Sequence, residues 1–315
     1  MNSNPANTTK APVLLIHRLN LIWGFHVTRS YCVAFLCFLQ LLVVGTASSD
    51  EPIEEVFDRW QPSLNLGVGL HRQKVTSSGT STLGGTADDS RTILTSIFTV
   101  NGQIATPALI KGFGKPKLYA RAGYQFPLAN EIKLIDNEVG VSLGEFTMDP
   151  TRCGTMQTPG TATCEHGVIL ELSINQFWSA GFGVEFSLPT EIADFTIGVG
   201  VEYLGQDYKF AGRATRVDRG RTGNQAGVVL GTVTLPETKA SRVLHAIGPR
   251  VVLSVNAAQL GPVTAHLYAD ITNYWYIGDE DFTFAGTFGA DSSSFGVEYD
   301  SFITQTTAGI KLVWR

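Results

Sequence analysis

Along most of this chain apolar and polar residues alternate at period two. In residues 302–314, Ala308, Ile310, Leu312 and Trp314 fall on one side, and Gln305, Thr307, Gly309 and Lys311 on the other. A strand patterned in this way has one face suited to apolar surroundings and one suited to polar ones. The same reading predicts eight strands, at 62–75, 116–127, 131–146, 167–188, 195–208, 242–257, 263–277 and 302–315. The third changes phase between Leu134 and Val139, which predicts a bulge near Asp136-Asn137. The fourth places Val168, Leu170, Leu172, Ile174, Trp178, Ala180, Phe182, Val184, Phe186 and Leu188 on a single outward parity.

The connections alternate in length. Those at 127–130, 189–194 and 258–262 are short, whereas 76–115, 147–166, 211–241 and 278–301 are long and rich in Gly, Ser, Thr and Asp. Short turns on one side and long loops on the other are the pattern of a membrane-spanning, antiparallel up-and-down barrel. Trp314, Phe126 and Phe186 are then expected in an aromatic girdle on the short-turn side, and Trp178 and Trp275 in one on the loop side. Residues 92–100, TILTSIFTV, are strand-like inside the first long connection. They fit a hairpin above the membrane, or two further strands that raise the count to ten. A soluble β-sandwich is the remaining alternative.

Composition narrows the class. Charged residues are 16% of the chain and 33 of 315 are Gly, as expected where lipid-facing positions exclude charge and inward positions are tight. The net charge of −5 gives no reason to expect a nucleic-acid partner. Arg29 precedes an apolar run, 31–44, followed by Gly45-Thr46-Ala47, the layout of a secretory signal cleaved near Ala47. The expected organisation is an extended signal peptide at 1–48, a segment at 49–61 with one short amphipathic helix, and a barrel at 62–315. Cleavage leaves Cys153 and Cys164 in an oxidising compartment, where a disulfide between them is expected.

The strand that closes on Trp314, with the turn pattern, resembles the small outer-membrane barrels of the OmpA, OmpX and OmpW type; the departure is Arg315 after the aromatic residue. The resemblance implies a bacterial outer-membrane location and a monomer. It also implies contact with outer-membrane lipids and lipopolysaccharide, and engagement of the assembly machinery through the last strand. It carries no functional motif.

The inward parity collects Arg121, Lys133, Glu185, Glu202, Arg250, His266, Asp270 and Lys311. An eight-stranded interior is just wide enough for side chains, so these charges are expected to pair and plug the lumen. The turn near Leu260 places Arg250 opposite Asp270, with Glu202 beyond. In the third long connection Arg213, Arg216, Arg219 and Arg221 form a candidate anion site for lipopolysaccharide phosphates, with acids at 279–281, 291 and 300 in the fourth. His71, His166 and His245 do not share a face, so no metal site is expected, nor any cofactor. The expected role is structural or surface-interactive rather than enzymatic. The alternatives are a narrow channel and, through His245 with Ser241, a lipid A-modifying enzyme.

Overall fold

In the computed structural model the described residues are 59–110, 114–129, 131–137, 162–190, 194–220 and 228–314. They form eleven strands: β1 (Gln61–Ser81), β2 (Thr86–Ala105), β3 (Lys117–Pro127), β4 (Glu131–Asn137), β5 (Ala162–Pro189), β6 (Asp194–Gly220), β7 (Val229–Thr234), β8 (Thr238–Leu260), β9 (Val263–Tyr276), β10 (Asp281–Phe288) and β11 (Asp291–Trp314). All pairings are antiparallel. They run β1–β2, β2–β3, β3–β5, β5–β6, β6–β8, β8–β9, β9–β11 and back from β11 to β1, so the sheet closes on eight staves. β4 continues the β3 stave, β7 precedes β8 along the flank of β6, and β10 continues β9.

The count of eight stands, but two staves are drawn differently from the expectation. The segment 92–100 lies within β2, a full stave that pairs with β1 from Gln61↔Ala105 to Thr80↔Thr86. The expected turn at 127–130 is a break inside one stave, where the Leu128 N–H still donates to the Ser96 carbonyl at 2.8 Å. The Pro-Leu-Ala-Asn run has turn chemistry, but here the chain continues in the same direction. The expected 131–146 strand is described only as far as Asn137, with its bulge between Lys133 and Ile135. The signal, the 49–58 part of the N-terminal segment, and Cys153 lie outside the described residues.

The barrel wall has two zones. Toward the rim with the short connections, large apolar side chains face outward: Val68, Ile104, Leu118, Phe182, Val199, Val201, Val251, Leu253, Ile271 and Ile310 are all exposed. The lumen behind them is polar. Farther along the same staves the outward positions become Arg72, Lys74, Ser90, Thr92, Lys209, Arg213, Lys239 and Ser241. There the interior becomes an apolar core of Val75, Ile93, Ile97, Leu170, Leu172, Phe177, Tyr208, Phe210, Phe295, Val297 and Tyr299.

On β5 the inversion corrects the sequence reading. The register slips between Ile174 and Gln176. Val168, Leu170, Leu172 and Ile174 are therefore buried inside, whereas Phe182 and Phe186 on the same numerical parity face out. One extra residue at Asn175 exchanges the two faces of a strand whose side-chain period is two.

In the far zone the barrel separates into two sheets that face each other across this core. β10, β11, β1 and β2 make one, and β4, β5, β6, β7 and β8 the other. No ladder joins β10 to β8 or β4 to β2 among the described residues. Side chains span these seams instead. The Arg242 guanidinium lies 5.7 Å from the centre of the Phe282 ring, and Arg91 Nη1 donates to the Lys133 carbonyl at 2.8 Å.

Candidate functional site

The lumen of the membrane-level zone is crossed by two charge clusters. In the larger one Arg250 Nη2 donates to Asp270 Oδ2 at 2.6 Å, and its Nε lies 3.4 Å from Glu202 Oε2. Arg121 Nη2 donates to Glu202 Oε1 at 3.3 Å, and its Nη1 lies 3.7 Å from Asp270 Oδ2. Two cations and two anions thus alternate around one ring. The Tyr274 hydroxyl adds a donor to Glu202 Oε1 at 3.2 Å. All four charged side chains are at most 5% exposed. Buried ions at this depth persist only when paired and hydrogen-bonded. Nearer the short-turn rim, Glu185 Oε1 accepts from Lys311 Nζ and from Gln103 Nε2, both at 2.7 Å.

The register differs from the expected one by two residues. Arg250 pairs with Thr272, and Asp270 with Val252, because the turn is centred between Gly261 and Pro262 and a bulge sits between Asn256 and Ala258. The long guanidinium spans the resulting diagonal. His266 stands in register between Lys311 and Asn256, at the short-turn end. Lys133 departs from the expectation: it pairs with Asp136 at 3.0 Å, with both side chains 42% exposed.

Parity alone did not point to the residues that fill the space between the clusters. The ring of Tyr119 lies across two neighbouring strands. A Cβ on Gly200 or Gly183 would come within 2.5 or 2.7 Å of its hydroxyl and closer still to the facing Phe182 or Val199 carbonyl oxygen, so both positions require Gly. Above the larger cluster is an amide and phenol belt. Gln73 Nε2 donates to the Tyr208 hydroxyl at 3.0 Å, and the Tyr276 hydroxyl lies 3.0 Å from Gln73 Oε1 and 3.1 Å from Gln206 Oε1, sharing its single proton between them. His71 is enclosed there, 3.1 Å from Gln206 Nε2, with its ring 4.9 Å from Phe177. The apolar core begins immediately beyond. Gln103 lies within the expected 76–115 connection, so parity assigned it no face. The belt was missed because glutamine and tyrosine on an inward parity read as generic polar residues.

At the boundary between the zones aromatic side chains ring the outer wall: Phe98 with Phe126, Tyr124 beside Trp178, Tyr203 with His245, and Trp275 with Phe302. Phe126 therefore lies at the opposite end from Phe186 and Trp314, because β3 runs away from the short-turn rim. Gly205 leaves the room that the Trp178 indole occupies.

The arginines expected as an anion site are distributed along β6 in strand pairing. Arg216 pairs with Asp218 at 3.1 Å and Arg219 with Glu165 at 2.7 Å, while Arg213 is exposed and Arg221 is outside the described residues. Carboxylates thus already occupy two of the four. Cys164 is buried, with its Sγ 3.2 Å from Asp218 Oδ1. No cluster of metal-ligating side chains occurs among the described residues. His71 is inside the wall and His245 outside it.

A closed antiparallel barrel with an apolar belt outside and paired ions inside is a membrane-spanning β-barrel of the outer-membrane kind. No family model matches the chain, and no curated protein matches it. Among solved structures it is similar to Ail, the attachment invasion locus protein of Yersinia pestis, at 8% identity over 80% of this chain and 99% of that one, TM-score 0.22. It is similar to the outer membrane protease OmpT from Escherichia coli at 10% identity over 81% and 97%, TM-score 0.27. A major outer membrane protein from Thermus thermophilus gives 11% identity over 78% and 99%, TM-score 0.29. The class rests on the closure of the sheet and the polarity of its faces rather than on these likenesses.

Proposed function

We propose that this protein is a closed outer-membrane barrel that works through the part standing outside the membrane, the two-sheet extension beyond the aromatic ring. The observation that carries this reading is the double filling of the lumen. The Arg121–Glu202–Arg250–Asp270 ring fills the membrane level, and the apolar core around Tyr208, Phe210 and Phe295 fills the extension. A solute would have to displace both layers. The rim with short connections faces the periplasm, and the chain acts as a monomer that offers its last strand, Ile310 to Trp314, to the assembly machinery.

The channel alternative is tested by conductance. Purified protein in planar bilayers is expected to give no single-channel steps, and reproducible steps would sink the closed-barrel reading. The enzyme alternative has less support. His245 Nδ1 is hydrogen-bonded with the Tyr203 hydroxyl, and Ser241 is four residues along the same strand, about 13 Å away at the ordinary rise of a strand.

A further inference from the structure

The outward face of β1 reads Leu64, Leu66, Val68, Leu70, Arg72, Lys74, Thr76. The change from apolar to cationic falls at the level where the Trp275–Phe302 pair marks the interface. Arg72 is registered against Leu94 on β2 and Thr304 on β11, and Thr304 against Asn273 on β9. Lys74 is registered against Thr92. Both cations are exposed, and they stand about 7 Å apart on one face, two residues of strand rise. Around them are two hydroxyls, an amide and an exposed leucine, with no carboxylate directly opposite either in these pairings. Neither makes an ion pair among the described residues. Asp300, in the β11 segment where the ladder slips past Lys74, does not pair with it. Two outward cations farther out along β8 and β6 are different: Lys239 is held by Glu237 at 2.8 Å, and Lys209 alternates with Asp207.

We propose that Arg72 and Lys74, with Thr92 and Thr304, bind the phosphate of a lipid headgroup in the leaflet at the extended end of the barrel. The proposal rests on the outer-membrane reading above. A guanidinium takes two phosphate oxygens in its fork, and the ammonium supplies a second charge without geometric demand. The acyl chains then lie along Leu70, Val68 and Leu94. The match is to a phosphorylated glycolipid, because the hydroxyl and amide groups flanking the cations suit sugar hydroxyls.

The test reconstitutes three proteins: wild type, the Arg72→Gln/Lys74→Gln double variant, and Lys239→Gln. The phosphatidylcholine vesicles contain either diphosphorylated or dephosphorylated lipid A. Retained lipid is read by native mass spectrometry, and folding by heat-modifiability on gels. Wild type and Lys239→Gln are expected to retain the diphosphorylated form. The double variant is expected to retain it at least about ten-fold less, the loss of one or two charge-assisted hydrogen bonds. Equal retention by a heat-modifiable double variant overturns the site, as does equal retention of the dephosphorylated lipid. Displacement by millimolar inorganic phosphate would show a plain anion site and also overturns it. A wild type that is never heat-modifiable overturns the barrel reading and the site together.

Discussion

Arg250 and Asp270 meet on a diagonal. They are partners of Thr272 and Val252 in the ladder, yet their charged groups are 2.6 Å apart. The same guanidinium reaches Glu202 on the other side, so one side chain ties β6, β8 and β9 together across the lumen.

Removing that side chain leaves two carboxylates sharing Arg121 alone. Arg250→Met is expected to destabilise the barrel by about 3–5 kcal/mol, read from the urea midpoint. Replacing Arg121, Glu202, Arg250 and Asp270 together with apolar residues of similar size is expected to cost far less. An unchanged midpoint for Arg250→Met would mean that the ring contributes nothing to the fold.

The two fillings of the lumen are separable. Phe210→Ala removes a ring that packs on Phe282, 4.8 Å away, and on Tyr208 and Phe284. The expected cost is about 3–5 kcal/mol, with bilayer conductance still absent because the charge ring is intact. Conductance in this variant would assign the seal to the extension alone.

The bulge at Asn175 can be tested by length rather than chemistry. Deleting Asn175 restores one parity along β5 and turns Val168, Leu170, Leu172 and Ile174 outward, so this variant is expected not to become heat-modifiable. Asn175→Ala keeps the count and loses only the hydrogen bond to Asp207, so it is expected to assemble. Normal assembly of the deletion would disprove the face exchange.

The phenols of the extension set an alkaline limit. Burial holds the Tyr208 and Tyr299 hydroxyls above the ordinary tyrosine pKa. Groups raised in the folded state contribute stability that is fully present below the unfolded value, about 10. That contribution is lost as pH climbs toward the folded values. Denaturant midpoints are expected to be insensitive to these two groups from pH 7 to 9 and to fall above about pH 10. A Tyr208→Phe/Tyr299→Phe variant should lose part of that fall, and an identical alkaline profile would count against the assignment.

The cysteine pair is expected to be dispensable for the barrel. A Cys153→Ser/Cys164→Ser variant should still assemble, because the eight staves already close through ladders among the described residues. Failure on heat-modifiability gels would give the β4–β5 connection a part in folding.

Period-two alternation was sufficient to reveal a barrel, the outward faces of β1, β3, β6 and β8, and the inward charges on them; the count of eight agrees although β2 was not among the expected strands and the single stave of β3 and β4 was counted as two. That pattern reports the medium on either side of a strand, and the membrane-level zone has lipid on one side throughout. Two determinants are not written in it. One is chain direction: Pro127 to Asn130 has the chemistry of a turn, and only the pairing of β3 and β4 with the same strand, β5, shows that the chain runs straight on. The other is which face is inside. Above Asn175 the outward positions are mostly polar, so apolar residues belong inside and a single inserted residue reverses the reading. The Arg250–Asp270 contact combines both cases. Parity in the sequence put both residues in the lumen, but the bulge beside Asn256 and the reach of a guanidinium, properties of the folded wall, decided that they meet.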